Sequence, residues 1–256
     1  MIVDVHAHFG KWPHWPIPVT QASQLVETLD GMNVDRAVVA STRSLFVNWE
    51  DGNRETERAL GEHPERLIGF ACLGPLELSH TLGPPDYDFD RIAEAGFRGI
   101  RLYPQYHSYP LLYEPFVDRI CEEARARGWP VQLSLRVIMN WGMPMLSLDW
   151  IAGILERHPK TAWILTGINY LHELRVAVAM MRRFDDVYLE TSCVQGYEAI
   201  RKLVDEVGFE QLLHGSGAPL QNGAAALAKV LRAHITDTAR EAILGGNACR
   251  LLELTD

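Results

Sequence analysis

The sequence predicts a (β/α)8 barrel, and three observations carry the prediction. Eight short segments rich in Val, Ile and Leu recur along the chain, and amphipathic helical stretches separate them. The length, 256 residues, suits the roughly 250 that such a barrel takes. The segments are 2–6, 36–41, 67–73, 99–103, 131–135, 162–166, 187–193 and 211–215. Apolar runs bounded by turn residues are what strands covered on both faces require. Helical crossovers between them imply parallel neighbours.

The elements follow in order. Leu25, Leu29 and Met32 form an apolar stripe at helical spacing after the first strand. The clearest helix is 115–127, with Phe116, Ile120 and Ala124 on one face and Asp118, Glu122 and Glu123 away from it. Pro115 suits its first turn and Gly128 the position past its end. Ser147 is placed to cap a helix carrying Ile151, Ile154 and Leu155 towards His158-Pro159. An open doubly wound sheet is the rival fold, but no GxGxxG or GxxxxGK[ST] follows any strand. The longest irregular stretches, 10–19, 75–88 and 104–112, each follow the C-terminal end of a strand, where barrels carry their sites. No shift in composition marks a boundary, so 1–256 reads as a single barrel domain.

Composition narrows the function. Lys plus Arg (24) against Asp plus Glu (33) leaves a net charge of −9, with no basic stripe, so nucleic acid is not an expected partner. No window approaches the roughly 18 apolar residues of a membrane span, so no membrane association is expected. Asp4 and His6 fall where a signal peptide needs apolar residues. Cys72, Cys121, Cys193 and Cys249 are widely spaced and read as free thiols, which points to the cytoplasm.

The chemistry-bearing motif is Asp4-Val5-His6-Ala7-His8. Strand alternation puts Asp4, His6 and His8 on one face; in a barrel that face points inward, while Val3, Val5 and Ala7 pack on helices. Two imidazoles one strand repeat apart can ligate one metal ion. The plain alternative is two histidines satisfied by hydrogen bonds in a polar mouth. Glu190 shares a face with Ser192 on the seventh strand, Asp4 lies one repeat below His6, and His14, His107 and His172 lie on loops at the mouth, all candidates for a third ligand. On the fourth strand Arg101 and Tyr103 oppose Ile100 and Leu102; on the fifth, Gln132, Ser134 and Arg136 oppose Leu133 and Leu135. Both arginines are expected inside, neutralising Asp4 or Glu190 or gripping a substrate carboxylate, or else locked in a structural ion pair. Cys193 reads as a buried thiol. Trp12, Trp15, Trp49, Trp141 and Trp163 suit an aromatic pocket or an interface between copies of the chain.

Taken in order, Asp4-x-His6-x-His8, Arg66-Leu67-Ile68-Gly69-Phe70, Gly96-Phe97-Arg98-Gly99-Ile100-Arg101-Leu102, Gly215-Ser216 before a proline, and Asn247-Ala248 leading to Leu251-Leu252 resemble the amidohydrolase-related family. The resemblance runs from Asp4 to Leu252. It implies a TIM barrel and metal-dependent hydrolysis or decarboxylation. It also implies histidines on the fifth and sixth strands, and an aspartate after Gly-Ser on the eighth that binds the metal and accepts a proton from water. Ser134, Thr166 and Gly217 stand at those places here. A catalytic zinc takes three protein ligands and a water, and His6 with His8 supply two.

Two forms of the site stay open. In one, His6, His8 and Glu190 hold a single divalent ion, zinc by ligand type, whose water attacks a carbonyl. In the other there is no metal: His6 or His8 is the general base and Arg101 or Arg136 stabilises the oxyanion. Arg101, Tyr103, Ser134, Arg136 and Trp141 then line the substrate. The reading leans to a hydrolase acting on a small carboxylic acid, lactone or amide. A nonoxidative decarboxylase and a non-catalytic barrel that binds a ligand or partner are its alternatives.

Overall fold

The computed structural model describes residues 1–14, 16–74, 87–112, 115–137 and 144–254. Eight strands appear: β1 Val3–Phe9, β2 Arg36–Ser41, β3 Leu67–Cys72, β4 Phe97–Leu102, β5 Val131–Ser134, β6 Trp163–Thr166, β7 Val187–Glu190 and β8 Leu212–Leu213. They lie in sequence order, each parallel to the next. Three main-chain bonds join the ends of the sheet: Val5 N to His214 O (3.0 Å), Gly217 N to His6 O (2.7 Å) and His8 N to Ala218 O (2.7 Å). The (β/α)8 barrel closes at the histidine motif.

The expected helices form for the expected reasons. Pro115–Ala126 buries Phe116, Ile120 and Ala124, and Gly128 follows it at φ +67°. Ser147 caps Leu148–Arg157 by accepting from Asp149 N at 3.2 Å, and Ala22–Gly31 buries Leu25 and Leu29. These faces pack on the outward strand residues Val39, Leu67, Ile100, Leu102, Leu133 and Leu165 in one apolar shell. Among the described residues, no helix is long and apolar enough to cross a membrane.

Inside the barrel the layers change character. Val38, Ile68, Phe70, Ile164 and Leu213 form an apolar floor that continues into Ala248 and Leu252. Trp12, Ala40, Leu45, Cys72, Tyr103 and Val137 form an apolar rim at the other end. The buried polar side chains of the barrel include His6, His8, Arg101, Gln132, Ser134, Thr166 and Glu190.

The first strand departs from simple alternation. Asp4 pairs with Ala37 and Ala7 with Val39, so β1 advances three residues while β2 advances two, a β-bulge. Val3 and Val5 join the floor with Val38 and Phe70, and Ala7 and Phe9 join the helix-facing shell. Asp4, one of the candidate third ligands, is engaged in holding the chain together. Its carboxylate accepts from His6 N (2.9 Å), Ser216 N (2.9 Å) and Ser216 Oγ, which staples β1 to the segment after β8.

Candidate active site

His6 and His8 lie side by side on β1, their rings edge to face with centroids 5.0 Å apart. His6 Nδ1 meets Glu190 Oε2 at 3.2 Å, and both side chains are fully buried. Glu190, the last residue of β7, also accepts from Ser192 N and from Ser192 Oγ (2.8 Å). Burial alone would raise its carboxyl; the His6 ring and the two Ser192 bonds outweigh burial and hold it below its ordinary value. Gly215 permits this packing, because a Cβ there would overlap the Glu190 carboxylate. On the neighbouring imidazole, His8 Nε2 meets Tyr103 Oη at 3.4 Å. Burial, then the charge of Arg101, then His6 push the His8 pKa well down, so this ring is neutral. The second nitrogens, His6 Nε2 and His8 Nδ1, are buried without a hydrogen-bond partner.

Both arginines are buried, as alternation expects, but their partners differ from those expected. Arg101 is fully buried inside the barrel, but its two terminal nitrogens donate to Ala7 O and Val38 O, both at 3.0 Å, and not to Asp4 or Glu190. It is a fixed cation beside His8. Arg136 instead forms a two-pronged ion pair with Glu173, at 2.8 Å through Oε2 and a further bond through Oε1, and donates to Gly167 O at 3.0 Å. Glu173 in turn accepts from Asn169 N (2.8 Å) and Tyr170 N (3.0 Å). Arg136 is thus held in the structural ion pair, one of the two expected outcomes.

Of the remaining expected residues, Ser134 and Thr166 join hydroxyl to hydroxyl at 2.7 Å. Tyr103 stands in the apolar rim above His8. Trp141 and Trp15 lie outside the described residues. His107 bonds Ser44 O at 2.8 Å, His14 packs edge to face on Trp12 and Phe46, and His172 stacks on Tyr170. None of them completes a ligand set with His6 and His8. Cys193 is buried against Gln221, and burial raises its thiol pKa, which makes a poor nucleophile.

Three participants escaped sequence reasoning. His214 is buried with both ring nitrogens unpartnered; burial lowers its pKa against the pull of Asp4 and Glu190. Gln221 fills the space a side chain at 217 would enter: a Cβ on Gly217, at φ +65°, would lie 2.6 Å from Gln221 Nε2. Lys229 reaches the turn after β7. Its placement among Ala and Leu in 223–231 was the one available signal, since a charge on an apolar helix face needs partners.

These residues do not fit a catalytic divalent cation. The free nitrogens of His6 and His8 lack a third ligand: Glu190 is committed to His6 and Ser192, and His214, although its ring nitrogens are unpartnered, does not converge with them on a common point. Ser134 and Thr166 bind each other, Gln221 occupies the place of a side chain at 217, and the Arg101 charge already stands beside His8. Among the described residues no three His, Cys, Asp or Glu side chains converge on a common point.

Comparison with known proteins places this geometry. A family model described as amidohydrolase matches residues 3–254. No curated protein matches the chain. Solved structures share the fold at low identity. A 2,6-dihydroxybenzoate decarboxylase from Rhizobium is 16% identical with TM-score 0.76, each chain covered to 98%. A probable 2-pyrone-4,6-dicarboxylic acid hydrolase from Acinetobacter baumannii, with citric acid bound, is 15% identical with TM-score 0.70 over 99% of both chains. A dihydroxybenzoic acid decarboxylase from Polaromonas, with manganese and the inhibitor 2-nitroresorcinol, is 15% identical with TM-score 0.69, over 99% of this chain and 97% of that one. With the model match running from the start of β1 to beyond the last helix, and with its histidine pair buried in a (β/α)8 barrel, the chain belongs to the amidohydrolase family.

Proposed function

We propose that this protein is a metal-independent hydrolase of a small carboxylic acid derivative, a lactone, ester or amide, working by proton transfer at His6 and His8. The observation that supports it is that each ring has one nitrogen engaged, by Glu190 or Tyr103, and the other buried and free. Glu190 accepts from His6 Nδ1–H, which leaves the His6 Nε2 lone pair to take a proton from an attacking water. The Glu190 carboxylate then steadies the imidazolium that forms. Tyr103 Oη lies 3.4 Å from His8 Nε2; in this reading it donates there, which makes His8 Nδ1–H a donor to the developing oxyanion. Burial, aided by the charge of Arg101, keeps His8 neutral and so keeps that donor in its imidazole form. One ring is the base; the other polarises the carbonyl.

A specific observation supports nonoxidative decarboxylation as a second reading. Trp12, Phe46 and Tyr106 pack edge to face at the rim, with centroids 4.7 Å and 5.2 Å apart, a wall suited to a flat aromatic acid. There, protonated His6 would deliver a proton to the ring carbon that loses CO2.

Hydrolysis of p-nitrophenyl acetate and a panel of small lactones, with and without chelator, tests the proposal. His6→Ala is expected to lower the rate roughly a hundredfold or more, measured on protein whose fold is checked by circular dichroism. Release of CO2 from hydroxybenzoates with no hydrolysis would favour the second reading. No turnover of either class would leave a barrel that only binds.

A further inference from the structure

The grip of Glu190 on His6 depends on a turn that is held from outside the barrel. After Glu190 the chain bends, with Val194 N bonded to Thr191 O at 3.1 Å. Three carbonyls of that bend converge on one ammonium: Lys229 Nζ, from helix Gly223–Leu231, donates to Thr191 O (2.9 Å), Ser192 O (2.6 Å) and Val194 O (2.8 Å). An ammonium has three donors, and here each has an acceptor. Within the same bend Ser192 gives both its N–H and its hydroxyl to Glu190. Nothing in the apolar packing of this helix needs a charge at 229, where its buried neighbours are Ala226, Leu227 and Val230. The charge answers the carbonyls.

We propose that Lys229 is a positioning residue whose ammonium acts as the resident cation of the 191–194 turn, and that through Ser192 and Glu190 it fixes His6 in the Nδ1–H form with Nε2 open for proton transfer. The inference rests on the reading of His6 as the proton acceptor. Lys229 itself makes its hydrogen bonds to the turn and none to His6. A purely structural lysine would change stability and leave the His6 tautomer alone.

The test reads that tautomer directly, by 15N NMR of the imidazoles in the full chain, with the His6 signals assigned by their loss in His6→Gln. The native protein is expected to show the Nδ1–H form. Lys229→Met keeps the alkyl stem and removes the charge, and is expected to give a mixture of both tautomers. Lys229→Ala is expected to do the same and to regain the Nδ1–H form with added methylammonium. Tetramethylammonium, which has no N–H, is expected not to restore it. Hydrolysis should fall and recover in parallel, by roughly tenfold to a hundredfold. A folded Lys229→Met with the native tautomer overturns the proposal. If that variant does not fold, Lys229→Ala prepared in methylammonium takes its place: an unchanged tautomer after the amine is dialysed away overturns the proposal equally. A tautomer change without hydrolysis by any form, native included, would overturn the hydrolase reading and leave the positioning role standing.

Discussion

Single atoms decide this site. The useful feature of His6 and His8 is which nitrogen each leaves free, and that is decided by Glu190 and Tyr103. Tyr103→Phe removes only the hydroxyl that orients His8; it should lower kcat by roughly tenfold or more with little change in KM, measured by steady-state hydrolysis. Gly215→Ala pushes a methyl group into the Glu190 carboxylate and should destabilise the fold by about 1–3 kcal/mol in urea melts while lowering activity. Gly217→Asp, which would restore the residue that the family resemblance expects, should fail to create a zinc site. The backbone there is left-handed, costing about 1–2 kcal/mol for a side chain, and Gln221 fills the space. Calorimetric titration with zinc should show no tight binding until Gln221→Ala is added. At this scale the sequence is only half informative. Alternation shows which side of a strand a residue takes but not how far it reaches, so it places Arg101 inside the barrel without revealing its carbonyl partners on β1 and β2.

Whole elements are more legible than their ends. Apolar runs mark strands buried on both faces, and all eight lie where those runs do. The bulge in β1 leaves no trace in the sequence, because Val5 and Ala7 are both small and apolar and either suits the inside or the outside. The apolar pattern carries β7 on to 193, whereas the strand ends at Glu190 because the carbonyls beyond it are claimed by Lys229, far along the chain. The link between β5 and the helix Leu171–Arg183 is the Arg136–Glu173 pair, which also caps that helix at its N-terminus. Both side chains are nearly fully buried, at 7% and 1% exposure, so removing one partner strands a charge. Arg136→Met should cost about 3 kcal/mol in a denaturant melt, and Arg136→Met with Glu173→Met should recover much of it. Substrate KM should stay unchanged in the double variant if Arg136 lies outside the site.

The molecule as a whole buries several imidazoles, and that burial shapes its response to acid. Burial lowers the pKa of His8, His107 and His214 below the ordinary value of 6.5. An unfolded chain therefore binds protons at these positions before the native one does. Their contribution to stability is complete above pH 6.5 and declines as pH falls below it. Glu190 and Glu173 are held below their ordinary value of 4.5, so a second loss should set in beneath that pH. Thermal melts against pH should thus show two steps of acid destabilisation, and His214→Asn should weaken the first. Such a polar interior without a metal is the central claim, and metal content measured together with activity tests it most directly. Protein dialysed against 1,10-phenanthroline and EDTA, then analysed by mass spectrometry alongside p-nitrophenyl acetate hydrolysis, should contain far less than about one ion per chain and keep its rate. About one tightly held ion per chain, with the rate lost on its removal and regained on its return, would contradict the claim.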